Sequence, residues 1–529
     1  MDSSKRQSDQ QTNIESNPDA KTIGEIYDLD EAILRAQGHE AQLGRSFSWF
    51  GALGLAFSIV NSWLTYASCF GVAYSYGGGQ VAVFSPIFSA ITQWIMLQGV
   101  SELASAFPSS GASHLLQSGG QYHFTYIIAP ERFKIIAAFM VGAINVIAWW
   151  VNTASGTIYT AISAFGICQF LRDDFVGTQW QVYLCYILLI FLTLLPLFLI
   201  PQRYIENLTK ASMFLSILGF VLVVIVCLVM GRGHYQPSNL IEYRSTSGWS
   251  AGPGWLLGIG NGEYAFAAAG ACVHIAEEIP QPSRKIPLVI NLTILIGVLT
   301  LIPSIIAMTC VLQDMDAVRQ AFLPSLELFY QATGSKTASV FLQVYLTILY
   351  YSCVPSQWIT SSRMAWAFSR DNGLPFSPYW AKVDEKRGIP MRALLLSAAF
   401  CAIYGLLYIA STQAFNSIIN TAVLMLNITY TVPQGILLTC GRHKLPSRYY
   451  SLGKWGYAIN LFSVLWLILS GIFFCFPTSN PPTIGNMNYN SVVLCGIFGL
   501  VSLCWLERRK KFTGPVIDWE ALNVTQAAT

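Results

Sequence analysis

Twelve apolar stretches, each as long as a membrane helix, fill this chain between residues 46 and 507. About 20 mostly apolar residues cover roughly 30 Å of hydrocarbon. No water reaches that layer, so every backbone N–H and C=O must bond within the protein, and long apolar runs become helices. The expected fold is all-α and polytopic. Charged residues make up only 11% of the chain, against about 25% in a soluble domain.

The spans are predicted at 47–76, 79–105, 133–169, 180–200, 204–231, 256–280, 286–312, 337–368, 390–409, 413–440, 453–476 and 488–507. With the N-terminus inside, all but five of the 30 Lys and Arg lie on the inner side or at inner span ends. The exceptions are Arg172, Arg232, Arg244, Arg319 and Lys336. Lys and Arg are retained on the cytosolic side of membranes, which predicts cytosolic termini and an even number of spans. Residues 1–45 lack an apolar leader segment and are expected to be a disordered tail, with a short helix near Asp28–Gly38. Residues 46–507 are expected to form a single twelve-helix membrane domain. Residues 508–529 form a second tail, opened by Arg508-Arg509-Lys510-Lys511, which suits anionic lipid. The twelve cysteines lack metal-ligand spacing and are expected to pack as small apolar groups.

Two spans look unsuited to plain anchoring. The first runs Gly51-Ala-Leu-Gly-Leu-Ala-Phe-Ser-Ile-Val-Asn-Ser-Trp63. The sixth runs from Gly258 through Glu263-Tyr264-Ala265-Phe266 to Glu277-Glu278. Each mixes small and polar residues at bilayer depth. They hold equivalent places in two sets of five spans. In many secondary transporters such segments are broken helices, whose freed peptide groups bind substrate at the midplane.

Four stretches carry a family resemblance: Phe57-Ser-Ile-Val-Asn-Ser-Trp63 with Gly77-Gly78-Gly79; Ser101-Glu-Leu-Ala-Ser-Ala-Phe-Pro108 with Gly120-Gln-Tyr-His-Phe124; His274-Ile-Ala-Glu-Glu-Ile-Pro-Gln-Pro-Ser-Arg-Lys-Ile-Pro287; and Ser362-Arg-Met-Ala-Trp-Ala-Phe-Ser-Arg-Asp-Asn-Gly-Leu-Pro375. Together they resemble the fungal amino-acid/choline/GABA permeases of the amino acid–polyamine–organocation superfamily. The resemblance implies a leucine-transporter-type fold, a five-plus-five inverted repeat with two extra C-terminal helices. Two departures stand out. Residues Ala112–Gly119 intervene where relatives run on directly, and Gly270 stands where many relatives carry an Asp.

The resemblance also implies roles. Backbone at Ser58, Ile59, Val60, Asn61 and Ser62 would offer N–H groups to a carboxylate. Backbone at Phe266, Ala267, Ala268, Ala269 and Gly270 would offer carbonyls to an ammonium group. Trp63, Tyr66, Tyr264 and Phe266 would close over the ligand. Glu263 would form an outer gate, bind a cation or face a water-filled vestibule, and Glu102, at the inner end of span 2, would be a structural cap or an inner-gate partner. Glu277 and Glu278 would form an inner gate beside Arg284 and Lys285. Lys210 near Ser361 and Ser362 would replace a sodium ion as the coupling switch, and His274 would carry a proton.

The expected function is secondary active uptake of a small amino acid or related amine such as GABA, driven by protons, with sodium as the alternative ion. Choline or a polyamine is the alternative substrate. No cofactor and no nucleic acid are expected; the partners are the substrate and the lipid bilayer. The plasma membrane is the expected location, with the vacuolar membrane as the alternative. A nutrient receptor is the rival from another class, though the short tails speak against it. A membrane enzyme is disfavoured, because no HExxH, GxSxG or acidic metal motif lies in the spans.

Overall fold

The computed structural model describes residues 47–107, 120–172, 174–175, 177–384, 387–483 and 487–515. The tail expected at 1–45 with its short helix, the intervening stretch Ala112–Gly119 and the last residues of the C-terminal tail lie outside them. Among the described residues the architecture is helical, and the one β contact is an isolated bridge between Asp384 and Ile389.

Span 1 is split into Trp49–Val60 (1a) and Ser62–Ala67 (1b). Helix resumes at Phe70 and runs to a turn at Gly77 and Gly78, from which span 2 continues to Ala106. Gly78 has φ +66°, a left-handed conformation that a Cβ would penalise. Spans 3, 4 and 5 are Lys134–Leu171, Gln179–Leu199 and Gln202–Met230. Span 6 is split again, into Ala251–Glu263 (6a) and a 3-10 helix, Ala267–Glu278 (6b). Spans 7 to 12 are Pro282–Cys310, Lys336–Arg370, Met391–Ala410, Thr412–Cys440, Trp455–Phe473 and Asn490–Arg508.

Eleven helices among the described residues are long and apolar enough to cross a membrane. Span 1 is counted across its one-residue break, whereas the sixth predicted span is the exception: three residues interrupt it, its second half is a 3-10 helix, and its halves have 13 and 12 residues. The midspan interruptions are also where the interior lies. Ten consecutive residues of 1a, Gly51–Val60, are buried. Span 1a packs on span 5, span 6a on span 2, and span 3 along span 8. Gly54 permits the first of these contacts, because a Cβ there would sit 3.1 Å from the backbone of Thr209 and Lys210. The outer surface is the reverse of a soluble protein's. Leu188, Phe191, Leu218, Ile225, Leu299 and Ile403 are all exposed, an apolar belt that suits lipid.

Both ends of the described chain reach one face. The Phe47 N–H bonds the Glu278 carbonyl (3.0 Å), and Phe512 packs its ring on Phe139 and Phe368. We call this the terminal face. All twelve described cysteines are free thiols.

Candidate functional site

The break in span 1 is a single residue. Asn61 takes φ 34°, ψ 57°, the left-handed region that Asn tolerates better than other side-chain-bearing residues. Its side chain fixes the break. Asn61 Oδ1 accepts from Ser216 Oγ of span 5 (2.6 Å), and Nδ2 reaches Cys353 Sγ of span 8 (3.3 Å). Ser216 in turn accepts from the Trp63 indole (2.9 Å). Thr65 Oγ1 donates to the freed Val60 carbonyl (2.7 Å). The N–H groups of Ser62, Trp63 and Leu64 open a new helix, with no carbonyl one turn back to accept them.

Span 6 breaks at Tyr264–Phe266 and then continues as 3-10 turns, longer than such runs usually last. Tyr430 of span 10 donates to the Ala267 carbonyl (2.9 Å), and its ring covers Gly270. The Tyr264 hydroxyl lies 3.0 Å from Ser155 Oγ of span 3.

A cavity of about 30 Å³ lies between the two breaks, lined by Ile59, Asn61, Thr65 and Ala268, by Asn152 and Tyr159 of span 3, and by Tyr350 and Gln357 of span 8. It shares Ser68, Tyr159, Tyr264 and Tyr350 with a vestibule of about 570 Å³. The vestibule walls include Tyr76, Thr246, Arg319 and Phe476, all at the face opposite the termini. The small cavity is therefore the floor of a funnel, and among the described residues no charged side chain lines it. Two of its polar atoms are buried without a partner: the donor Asn152 Nδ2 and the acceptor Gln357 Oε1. Gly156 leaves room for that amide, since a Cβ there would sit 2.3 Å from Gln357 Oε1. Unpaired buried polar atoms are uncommon and mark places where another group can bind.

The terminal face is closed. Arg363 Nε meets Glu278 Oε1 at 3.0 Å with both side chains buried, and Gln202 Nε2 donates to Glu278 Oε2 (2.9 Å). Glu102 accepts from Arg442 (2.6 Å) and Arg448 (2.7 Å), which ties the loop between spans 10 and 11 to span 2. The Tyr122 hydroxyl donates to Asp371 (2.9 Å). Burial pushes the Asp371 carboxyl up to about 6, opposed by Arg370 and by that hydroxyl.

These positions correct several expectations. Trp63, Tyr66 and Phe266 do not cover the cavity. Trp63 bonds Ser216, Tyr66 donates to the Ala82 carbonyl (2.8 Å), and Phe266 packs by Gly297. The carbonyls expected to face an ammonium group are engaged: Tyr430 bonds that of Ala267, and the Ala269 N–H bonds that of Phe266 (3.1 Å). Ser58, Ile59 and Val60 lie within helix 1a, so their N–H groups are not freed as expected; Ser58 Oγ meets Ser356 Oγ (2.7 Å), and the Ser62 side chain faces Gly297. Glu278 pairs with Arg363 rather than Arg284 or Lys285; those two lie over the rings of Tyr449 and Trp49. Glu277 is half-buried beside Glu278. Lys210 pairs with Glu206 one turn away (2.9 Å), while Ser361 and Ser362 bond carbonyls of their own helix. His274 Nε2 accepts from the Trp149 indole (2.9 Å). Glu263 faces no vestibule: Asn427 Nδ2 (2.9 Å) and Trp466 Nε1 (2.6 Å) donate to it deep between helices. Asn152, Tyr159, Tyr350 and Gln357 were not marked by the sequence, where they read as ordinary residues of apolar spans.

Comparison with known proteins agrees with this architecture. A family model described as amino acid permease matches residues 47–498. The chain is 30% identical to a choline transporter of Saccharomyces cerevisiae, over 92% of this chain and 86% of that one. It is 28% identical to a swainsonine transporter of Arthroderma benhamiae, over 89% and 92%. A crystal structure of a manganese transporter from Eremococcus coleocola superposes with a TM-score of 0.55 at 14% identity, covering 87% of this chain and 94% of that one, which is a likeness of fold. The fold is the leucine-transporter type, with spans 1–5 and 6–10 as inverted repeats and spans 11 and 12 added. These relatives are permeases and transporters rather than enzymes. Two broken helices around a funnel and a family match across nearly the whole membrane domain lead to one conclusion: this multi-pass membrane protein belongs to the amino acid permease family of transporters.

Proposed function

We propose that the protein imports a small organic amine, with a choline-like quaternary ammonium as the best fit and the proton as the driving ion. The observation that carries this reading is the cavity floor: three tyrosines, one unpaired amide donor, one unpaired amide acceptor and no ionised side chain. A quaternary ammonium has no N–H to satisfy. Aromatic faces attract it by cation–π forces, so no acidic partner is required. A hydroxyl both accepts and donates, which suits Asn152 Nδ2 and Gln357 Oε1 together. The similarity to a choline transporter supports the same class.

A second reading, an amino acid such as GABA, is favoured by the start of span 1b. Leu64 and Thr65 line the cavity there, and a helix N-terminus suits a carboxylate. Cytosolic termini, the orientation suggested by the Lys and Arg distribution, place the vestibule outside the cell. The plasma membrane is the proposed location.

The test is uptake of labelled choline, GABA, neutral amino acids and putrescine by an uptake-deficient cell across a pH series. Choline should be taken up in preference and more strongly at acid pH. Tyr264→Ala should raise its apparent KM by roughly thirtyfold, the equivalent of about 2 kcal/mol for a desolvated cation–π contact. Uptake of GABA without choline would reject the first reading. Accumulation that follows sodium and ignores pH would reject proton coupling.

A further inference from the structure

We propose that Glu263 is the site that takes up and releases the coupling proton. The inference rests on the proton-driven transport proposed above and adds the residue that performs it.

Glu263 is the last residue of span 6a, directly before Tyr264, which lines the substrate cavity. Its carboxyl points away from that cavity into a polar cluster shared by four spans. Asn427 of span 10 and Trp466 of span 11 donate to its two oxygens, and Gln93 of span 2 donates to Asn427 Oδ1 (3.1 Å). Glu263, Gln93 and Asn427 are each 0% exposed.

Among the described residues, no cation pairs with this carboxyl. Spans 10 and 11 contain no Asp, Glu, Lys, Arg or His. The ionisable residue of span 2 is Glu102, held at the terminal face by Arg442 and Arg448. The nearby hydroxyls are committed elsewhere: Tyr430 to the Ala267 carbonyl, Tyr66 to the Ala82 carbonyl and Tyr264 to Ser155. Tyr457 of span 11 lies under Arg442. His274, on span 6b, is bonded to Trp149. Two other buried acids contrast with Glu263, since Glu102 and Glu278 each have a guanidinium; the third, Asp371, lies at the terminal face near Arg370 and accepts from Tyr122.

A carboxylate buried without a cation is costly, and ionisable groups at membrane depth are functional candidates by default. Protonation removes the charge. It also adds a donor to a cluster in which Gln93 Oε1 is an acceptor without a partner. Proton binding thus rearranges bonds that tie span 6a to spans 2, 10 and 11, one residue from the break. Gly260, one turn before Glu263 on span 6a, lines the vestibule.

The test compares wild type with Glu263→Gln in sealed vesicles. Labelled substrate exchange is read first, then accumulation under an imposed pH gradient, then substrate-induced proton flux with an internal pH dye. Glu263→Gln should retain exchange, since the amide resembles the protonated acid. It should lose gradient-driven accumulation, with internal and external substrate levels equal, and its proton flux should fall to that of empty vesicles. Gradient-driven accumulation like wild type's would overturn the assignment.

A second readout needs no substrate. Trp466 fluorescence, taken as wild type minus Trp466→Phe, should change between mildly acidic and mildly alkaline buffer and become flat in Glu263→Gln. A pH-independent signal in wild type would overturn the assignment. The failures are distinguishable. Wild type that moves none of the panel rejects the transport reading, while the fluorescence still decides the proton site. Wild type that moves substrate without responding to pH rejects the coupling.

Discussion

Arg363→Ala is expected to release the terminal face and shift the molecule out of the vestibule-open form. Arg363 and Glu278 join span 8 to the end of span 6b, at 4% and 0% side-chain exposure. Removing Arg363 takes the guanidinium away from a carboxylate that is 0% exposed, at a cost of about 3–5 kcal/mol. That cost falls on the conformation in which this face is closed. The closed form should lose roughly two to three and a half orders of magnitude relative to forms that hydrate Glu278. Hydrogen exchange by mass spectrometry reads the change directly. Amides near Phe47 and Glu278 should exchange faster in Arg363→Ala, and gradient-driven uptake should fall. The neutral pair Glu278→Gln with Arg363→Gln should recover part of the protection, because no lone charge remains. Unchanged exchange around Glu278 in Arg363→Ala would show that the ion pair does not hold this face closed.

Asn61→Ala should cost stability and transport together. The substitution removes acceptance from Ser216 and the contact to Cys353, and it leaves the Trp63–Ser216 pair without its third member. Leaving buried polar groups unpaired costs about 1–3 kcal/mol. Holding Ala in the left-handed region adds about 1–2 kcal/mol. The melting temperature in detergent should drop by several degrees, and the apparent KM should rise. Asn61→Gly separates the two terms: glycine accepts the backbone angle but lacks the amide, so it should lie between Ala and wild type. Equal behaviour of Asn61→Ala and wild type would mean that the span 1 break is held by something else.

The span plan was legible because the apolar runs are long and the Lys and Arg fall mainly on one side. The two breaks were legible too, since Gly, Ser, Asn and Glu are conspicuous in such runs. Side-chain direction beyond the breaks was not. A left-handed residue at Asn61 redirects the chain, and nothing in the sequence says which way Trp63 and Tyr66 then face; they bond Ser216 and the Ala82 carbonyl. The 3-10 turns after Phe266 do the same to span 6 and engage the carbonyls expected to meet the ligand. The partner of Glu278 was not legible for a different reason. Arg284 is close to Glu278 in sequence, but the chain turns at Gln281 (φ 50°) and delivers Arg363 from span 8 instead. The amides of the cavity floor carried no local mark. Gln343 and Gln357 lie on the same span; Gln343 is satisfied by Ser325 and Ser163, while Gln357 Oε1 is left facing the cavity. Only tertiary packing distinguishes them.

Labelled choline uptake by sealed proteoliposomes, with Asn152→Ala and Gln357→Ala beside wild type, tests most directly whether the space between the broken helices is the substrate site. Both variants should fold as wild type by size exclusion and show an apparent KM raised by about tenfold, the worth of one hydrogen bond near 1.4 kcal/mol. Wild-type KM in both variants, with uptake intact, would place the substrate elsewhere.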